Sequence, residues 1–256
     1  MASLQIPIDR QVFSFIMILR NSPPKDSEAI SGHPPWGFYE VLTCLLLAYL
    51  AVPLVLTSVM ELILPHLQEN TNIFVAQYFP IFTWLGIFWI LSRRYQTSLW
   101  GWLGLKREKP LSYYGFYSLV TIIGVVGIFL LLSLILHLLG QKPPSPYESM
   151  GKEEIKTMTF FALVSAPFVE EVVFRGFIQS ALYRYLPPYG VIVVTACLFA
   201  MMHGGVDMEP LAWVYIGSLG LLFSTIRDKT GSIYPCMIGH LFNNTLAAWN
   251  LTHQLH

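Results

Sequence analysis

The stretch FVEEVVFRGF (residues 168–177) sets Glu170, Glu171 and Arg175 inside an otherwise apolar run. Ionisable side chains are expensive in hydrocarbon. Where they occur in a membrane span they face the bundle interior, pair with one another or line a functional path. On a helix Glu171 and Arg175 are four apart, share a face and can pair. Glu170 is rotated about 100° from Glu171 and shares its face with Phe174, so it can point into a cavity. Two readings stand. In one, the arginine holds one carboxylate while the other moves protons. In the other, a Glu–Arg clamp joins helices and does no chemistry.

Composition places this run in a membrane. The chain has 256 residues, 54% of them hydrophobic and 12% charged, whereas an ordinary soluble domain carries about 25% charged residues. Lys+Arg and Asp+Glu both number 15, and this balance argues against a nucleic-acid partner, which demands a basic face. Cys44, Cys197 and Cys236 lie in apolar runs without metal-type spacing. They read as small hydrophobes, not as disulfides or ligands. No cofactor and no metal is predicted.

A spanning helix needs about 20 mainly apolar residues. The expected segments lie near 38–60, with Pro53 as a kink, then near 73–92, 113–139, 157–183, 189–207, 210–226 and 232–251. The fold class is therefore all-α, a polytopic transmembrane helix bundle of about seven spanning helices. Insertion of VFSFIMIL (residues 12–19) would make eight. That piece is too short to span by itself and shows no small-residue cleavage site, so no signal peptide is expected. Residues 1–35 read as an N-terminal tail or interfacial segment. Residues 36–256 read as a single membrane-embedded domain, with the motif-bearing core at 157–251. In GQKPPSPYESMGKEE (residues 140–154) prolines stop the third helix and form a connector.

Cationic residues favour cytoplasmic loops. An N-terminus on the cytoplasmic side places eleven Lys and Arg residues there and only Lys142, Lys152 and Lys156 opposite. Trp100 and Trp102, beside the basic loop, suit an interfacial position. The expected location is a prokaryotic cell membrane or an equivalent internal membrane.

Two later segments also carry polar groups. LFAMMHGG (residues 198–205) sets Phe199 one turn before His203. MIGHLFNNTL (residues 237–246) sets His240 and Asn244 on one face, with Asn243 rotated away and Gly239 permitting close helix approach. Taken singly, each histidine reads equally as a helix-to-helix hydrogen bond, and Phe199 as core packing. Depth brings the sets together. At 1.5 Å per residue, Glu170 lies roughly 20 Å from the outer side, His203 roughly 21 Å and His240 roughly 12 Å from the inner side. All three can meet in the middle or inner half of the bilayer.

The trio resembles the CAAX-prenyl endopeptidase and bacteriocin-processing family, the CPBP or ABI proteins, which are glutamate-type intramembrane proteases. The family pattern is two glutamates, three spacers and Arg, then Phe, three spacers and His, then His, three spacers and Asn. EEVVFR, FAMMH and HLFNN match it in order. The resemblance covers roughly the last hundred residues. It implies that Glu170 is the general base for water and that His203 is its partner. It implies that His240 and Asn244 steady the oxyanion, and that Glu171 and Arg175 support the site geometry. These roles agree with general chemistry, since Asn and His can donate to charge developing on a carbonyl oxygen. The partner implied is a membrane protein or peptide substrate, lipid-modified in prenyl-processing members.

A two-His, one-carboxylate zinc site from Glu170, His203 and His240 is the rival chemistry. It lacks an HExxH spacing, and Asn244 is a poor zinc ligand, so metal-independent hydrolysis is expected. Ser165 has no placed base and reads as a packing residue. The alternative function is a non-catalytic scaffold that keeps the polar core and binds a membrane complex, with RRYQTSLWGWLGLKREK (residues 93–109) as one docking surface. A transporter would favour internal repeats, and none is visible.

Overall fold

A computed structural model of the chain describes residues 33–63, 68–96, 98–141, 163, 165–204 and 209–254. The apolar piece at 12–19, Gly205 and nearly all of the 140–154 connector lie outside the described residues. The elements are α1 (Phe38–Leu46), a π-helical turn (Leu47–Ala51), α2 (Val52–Ile63), α3 (Gln68–Tyr95), α4 (Leu111–Leu138), α5 (Ala166–Glu171), a π-helical segment (Val172–Ile178), α6 (Gln179–Leu182), α7 (Pro188–Gly204), α8 (Pro210–Thr230) and α9 (Tyr234–Gln254). All are helical. Phe38–Val59, Leu111–Leu138 and Pro210–Thr230 are long and apolar enough to cross a membrane, so the chain is a multi-span membrane helix bundle.

The disturbance expected at Pro53 is the π-helical turn just upstream of it. Proline offers no N–H, and its ring crowds the carbonyl four residues back, here that of Tyr49 inside the widened turn. The fourth predicted segment, near 157–183, is helical without a break from Ala166 to Leu182 but widens into a π segment that its sequence does not announce. Pro167 sits in the first turn of α5, where a missing N–H costs nothing. A π segment then carries the chain from Glu171 to α6. Residues 157–162 lie outside the described residues. At the far end of α8, Gly231 adopts φ 66° and its N–H returns to the Arg227 carbonyl at 2.9 Å. Glycine takes this left-handed cap without a Cβ clash.

The outer surface is apolar. Leu50, Leu54, Leu62, Trp89, Ile123, Leu130 and Trp249 are all exposed on the bare chain, as lipid-facing residues must be. The centre is the motif segment, buried without interruption from Glu171 to Leu182. It packs on α7, α8 and α9, and α4 packs on α8 and α9. On its other side Phe177 stacks on Trp36, with ring centroids 5.1 Å apart, and meets Trp84 edge-on. The Trp36 indole N–H donates to the Phe177 carbonyl at 3.1 Å.

A stripe of polar side chains runs along the motif segment at four-residue steps. Arg175 Nη2 donates to the Gly220 carbonyl (3.4 Å), Gln179 Nε2 to the Ser224 carbonyl (3.0 Å), and the Tyr183 hydroxyl to Asp228 Oδ1 (2.6 Å). Each partner lies 45 positions further along the chain. That constant offset means that the motif segment and α8 run parallel in one register, with α7 returning between them. Hydrogen bonds between helices in a membrane stabilise by roughly 0.6–2 kcal/mol each, so the stripe fixes register more than it supplies stability. Close approach completes the packing. A Cβ on Gly220 would lie 3.0 Å from Ala196 Cα, and one on Gly239 would lie 2.3 Å from Thr121 Cγ2.

Among the described residues Arg184, Arg227 and Lys229 gather with the 98–110 loop at one end. Arg227 Nη2 and the Ser180 hydroxyl both donate to the Trp102 carbonyl. The Tyr113 hydroxyl reaches the Lys229 carbonyl, and Arg184 Nη2 donates to the Pro34 carbonyl at 2.8 Å. Glu40 accepts from the Gly37 N–H and from the Tyr95 hydroxyl, tying the start of α1 to the end of α3. Trp100 is exposed there, while Trp102 packs inward.

Candidate functional site

The sequence-predicted polar residues come from α5, the following π segment, α7 and α9. Glu171 and Arg175 pair as their i,i+4 spacing predicts, with Oε1 and Nη1 3.1 Å apart and both side chains fully buried. Glu171 Oε1 also lies 2.9 Å from His240 Nδ1. One carboxylate oxygen thus joins the motif segment to α9. Arg175 is boxed by rings, its Cζ lying 4.1 Å from the centre of Phe199 and 5.3 Å from that of Phe223. Aromatic faces attract a desolvated cation by up to about 2 kcal/mol or more. They therefore offset part of the cost of burying the guanidinium.

Arg175 is held from the backbone side as well. A π segment departs from the regular α-helical ladder, and the Arg175 carbonyl is taken by Arg227 Nε at 3.3 Å. Gly104, at φ 73°, makes room for that arginine, since a Cβ there would stand 2.8 Å from Arg227 Cζ.

Glu170 faces both histidines. Its Oε2 lies 3.2 Å from His203 Nε2 and 3.7 Å from His240 Nε2. The first contact falls short of hydrogen-bond alignment and the second of hydrogen-bond distance, and Oε2 is shielded from the surface. The rest of the group is open, with 24% of the Glu170 side chain and 29% of the His203 side chain exposed, against 5% for His240.

The hydrogen bonds set the tautomers. His203 Nδ1 lies 2.7 Å from the Phe199 carbonyl, which only accepts, so Nδ1 carries hydrogen. His240 Nδ1 faces the Glu171 carboxylate and carries hydrogen for the same reason. Both rings therefore turn Nε2 towards Glu170 Oε2. A carboxylate set against two imidazoles is equipped for acid–base work. Phe199, read from sequence as packing, also stands at 4.3 Å from the His203 ring and 5.8 Å from the His240 ring.

Asn244 follows His240 by one turn of α9, and its Oδ1 accepts from Asn243 Nδ2 at 3.1 Å. Asn243 is buried and accepts from the Tyr215 hydroxyl at 2.5 Å. Sequence reasoning missed Gln179, Tyr215 and Phe223. The four-residue spacing from Glu171 through Gln179 was a readable signal for the first. Nothing in the sequence distinguishes Tyr215 or Phe223 from ordinary apolar helix residues.

Beside the motif helix lies a groove of about 460 Å³, lined by Trp84, Phe88, Trp100, Leu103, Phe168 and Val172 among others, with only Ser92 and Ser98 polar. Cys44 and Cys236 are buried free thiols, and Cys197 is an exposed one. Among the described residues no group of three or more His, Cys, Asp and Glu side chains is disposed to hold a metal ion.

Fold and cluster together define a membrane helix bundle with a Glu–His–Arg centre where three separated segments meet. A family model described as Type II CAAX prenyl endopeptidase Rce1-like matches residues 153–246. The match spans less than half of the chain, includes every residue of the centre, and indicates a relation at the level of the family. No curated protein and no solved structure matches the chain.

Proposed function

We propose that the protein is an intramembrane endopeptidase that hydrolyses peptide bonds of membrane-associated substrates with water activated by Glu170 and His203. The observation that carries this reading is the convergence of Glu170 Oε2 on two imidazole Nε2 atoms, at 3.2 and 3.7 Å, from helices far apart in sequence. Glu170 takes a proton from water as its oxygen attacks the carbonyl carbon, and His203 positions that water and shares the proton. Negative charge builds on the carbonyl oxygen, where the Asn244 carboxamide NH₂ donates to it and His240 donates through Nε2 once that nitrogen has taken up a proton. The proton then passes to the leaving nitrogen as the C–N bond breaks, giving a carboxylic acid and an amine. General acid–base help contributes about 10²–10⁴-fold, and one oxyanion donor about 10²–10³-fold. Glu171 and Arg175 act by holding His240.

The prenyl substrate class in the family description finds support in the apolar groove, which borders Glu170's own helix at Phe168, Val169 and Val172. The topology that goes with the reading has about seven spans and a cytoplasmic N-terminus. The gathering of Arg184, Arg227, Lys229 and the 98–110 loop at one end supports that sidedness.

Two internally quenched peptides test the reading. One carries a farnesylated cysteine three residues from its C-terminus, and the other is an unmodified apolar peptide. Wild-type protein in detergent micelles is expected to cleave the farnesylated peptide faster, and Glu170→Gln to lose at least about a hundredfold in kcat. Equal rates for the two proteins would end the role of Glu170. Cleavage of neither peptide by the wild type would leave the scaffold reading in its place.

A further inference from the structure

We infer that Tyr215 is a positioning residue for the Asn244 carboxamide, acting through Asn243. The inference rests on the hydrolase reading above, in which Asn244 faces the developing oxyanion. The observation is a directed chain of hydrogen bonds across the α8–α9 contact: Tyr215 hydroxyl to Asn243 Oδ1 at 2.5 Å, then Asn243 Nδ2 to Asn244 Oδ1 at 3.1 Å.

The direction of that chain matters chemically. A carboxamide has an accepting end and a donating end, and its surroundings decide which faces where. Inside a membrane span the phenolic proton of Tyr215 needs a protein acceptor. Asn243 Oδ1 is that acceptor, so Asn243 must present its NH₂ group to Asn244. Asn244 then has its oxygen occupied, and its NH₂ is the end turned away from Asn243. An oxyanion requires a donor. Reversing the chain would strand the tyrosine proton and turn the Asn244 NH₂ back towards Asn243, leaving an oxygen to meet the oxyanion. Asn243, the neighbour on the wrong face for catalysis, thereby orients the residue on the right one. Its burial leaves it little exposed to anything that would loosen this arrangement.

The test uses the full-length protein in micelles and the farnesylated quenched peptide. Tyr215→Phe keeps the ring and removes the donor. It is expected to lower kcat about tenfold, less than deletion of an oxyanion donor, because the amide is misaimed and not absent. KM should stay within about twofold. Asn243→Leu should reproduce the loss. In an Asn244→Ala background neither substitution should lower kcat further, because the group being aimed is gone. A second readout needs no turnover. In protein labelled with ¹⁵N-asparagine, Tyr215→Phe should shift the Asn244 side-chain NH₂ signals, assigned through their loss in Asn244→Ala. Unmoved NH₂ signals would overturn the proposal, as would a kcat loss of full size in the Asn244→Ala background. A wild type inactive on both peptides would remove the oxyanion role together with the hydrolase reading, and shifted amide signals would then still establish the orientation of Asn244.

Discussion

Arg175 illustrates how one residue binds structure to chemistry. Its guanidinium reaches Glu171 and the Gly220 carbonyl, lies over Phe199, and sits with its own carbonyl on Arg227. A lysine has neither the planar fork nor the ring-stacking surface for these contacts. Removing one partner of a buried ion pair costs about 3–5 kcal/mol, whereas replacing both with apolar residues is often nearly neutral. Arg175→Met should therefore lower stability by about that amount in reversible unfolding in micelles. Glu171→Leu with Arg175→Met should recover most of the stability, short of about 1–3 kcal/mol for the His240 N–H left unpaired. Activity should stay low in the double variant, because nothing then holds the His240 ring. A double variant no more stable than Arg175→Met would refute the pairing account. The sequence announced the ion pair through its spacing. It did not announce the aromatic box, because Phe223 arrives from another helix and looks like any lipid-facing phenylalanine.

At the scale of elements, the site depends on how closely the helices approach. α9 meets α4 at Gly239, where an added Cβ would stand 2.3 Å from Thr121 Cγ2. Thr121 is fully buried, and its hydroxyl donates to the Tyr117 carbonyl, so its rotamer is fixed. Gly239→Ala should cost about 1–3 kcal/mol as an overpacked contact and should lower kcat by displacing the adjacent His240. Adding Thr121→Ala should restore part of both. Gly217 on α8, with open space at its Cβ position, is the control, where alanine should be neutral or stabilise by about 0.5–1 kcal/mol. Equal effects of alanine at positions 217 and 239 would show that helix approach is not what Gly239 protects. The segments predicted from near 38, 113, 189, 210 and 232 lie close to the helices that begin at 38, 111, 188, 210 and 234, since apolar runs and prolines mark their edges. The π segment at Val172–Ile178 was not legible, because its residues differ in no way from those of a regular buried helix.

On the scale of the whole molecule, an apolar exterior surrounds a polar seam, the arrangement a bilayer selects. Cationic groups at one end should set the orientation. With the three native cysteines replaced by serine, Lys106→Cys should resist a membrane-impermeant maleimide added to intact cells, and Lys142→Cys should react. The reverse pattern would invert the topology. The sequence by itself determined that this is a helical membrane protein, which residues pair within a helix, and which three blocks carry charge or imidazole. Those properties are local, set by the 3.6-residue period and by the cost of exposing polar groups to lipid. Only the tertiary structure decided the parallel register of the motif segment against α8, the meeting of Glu170 with both histidines, and the Tyr215–Asn243–Asn244 chain. Each of these depends on how separate helices dock, and docking is settled by shape and hydrogen-bond matching between residues that the chain order keeps apart.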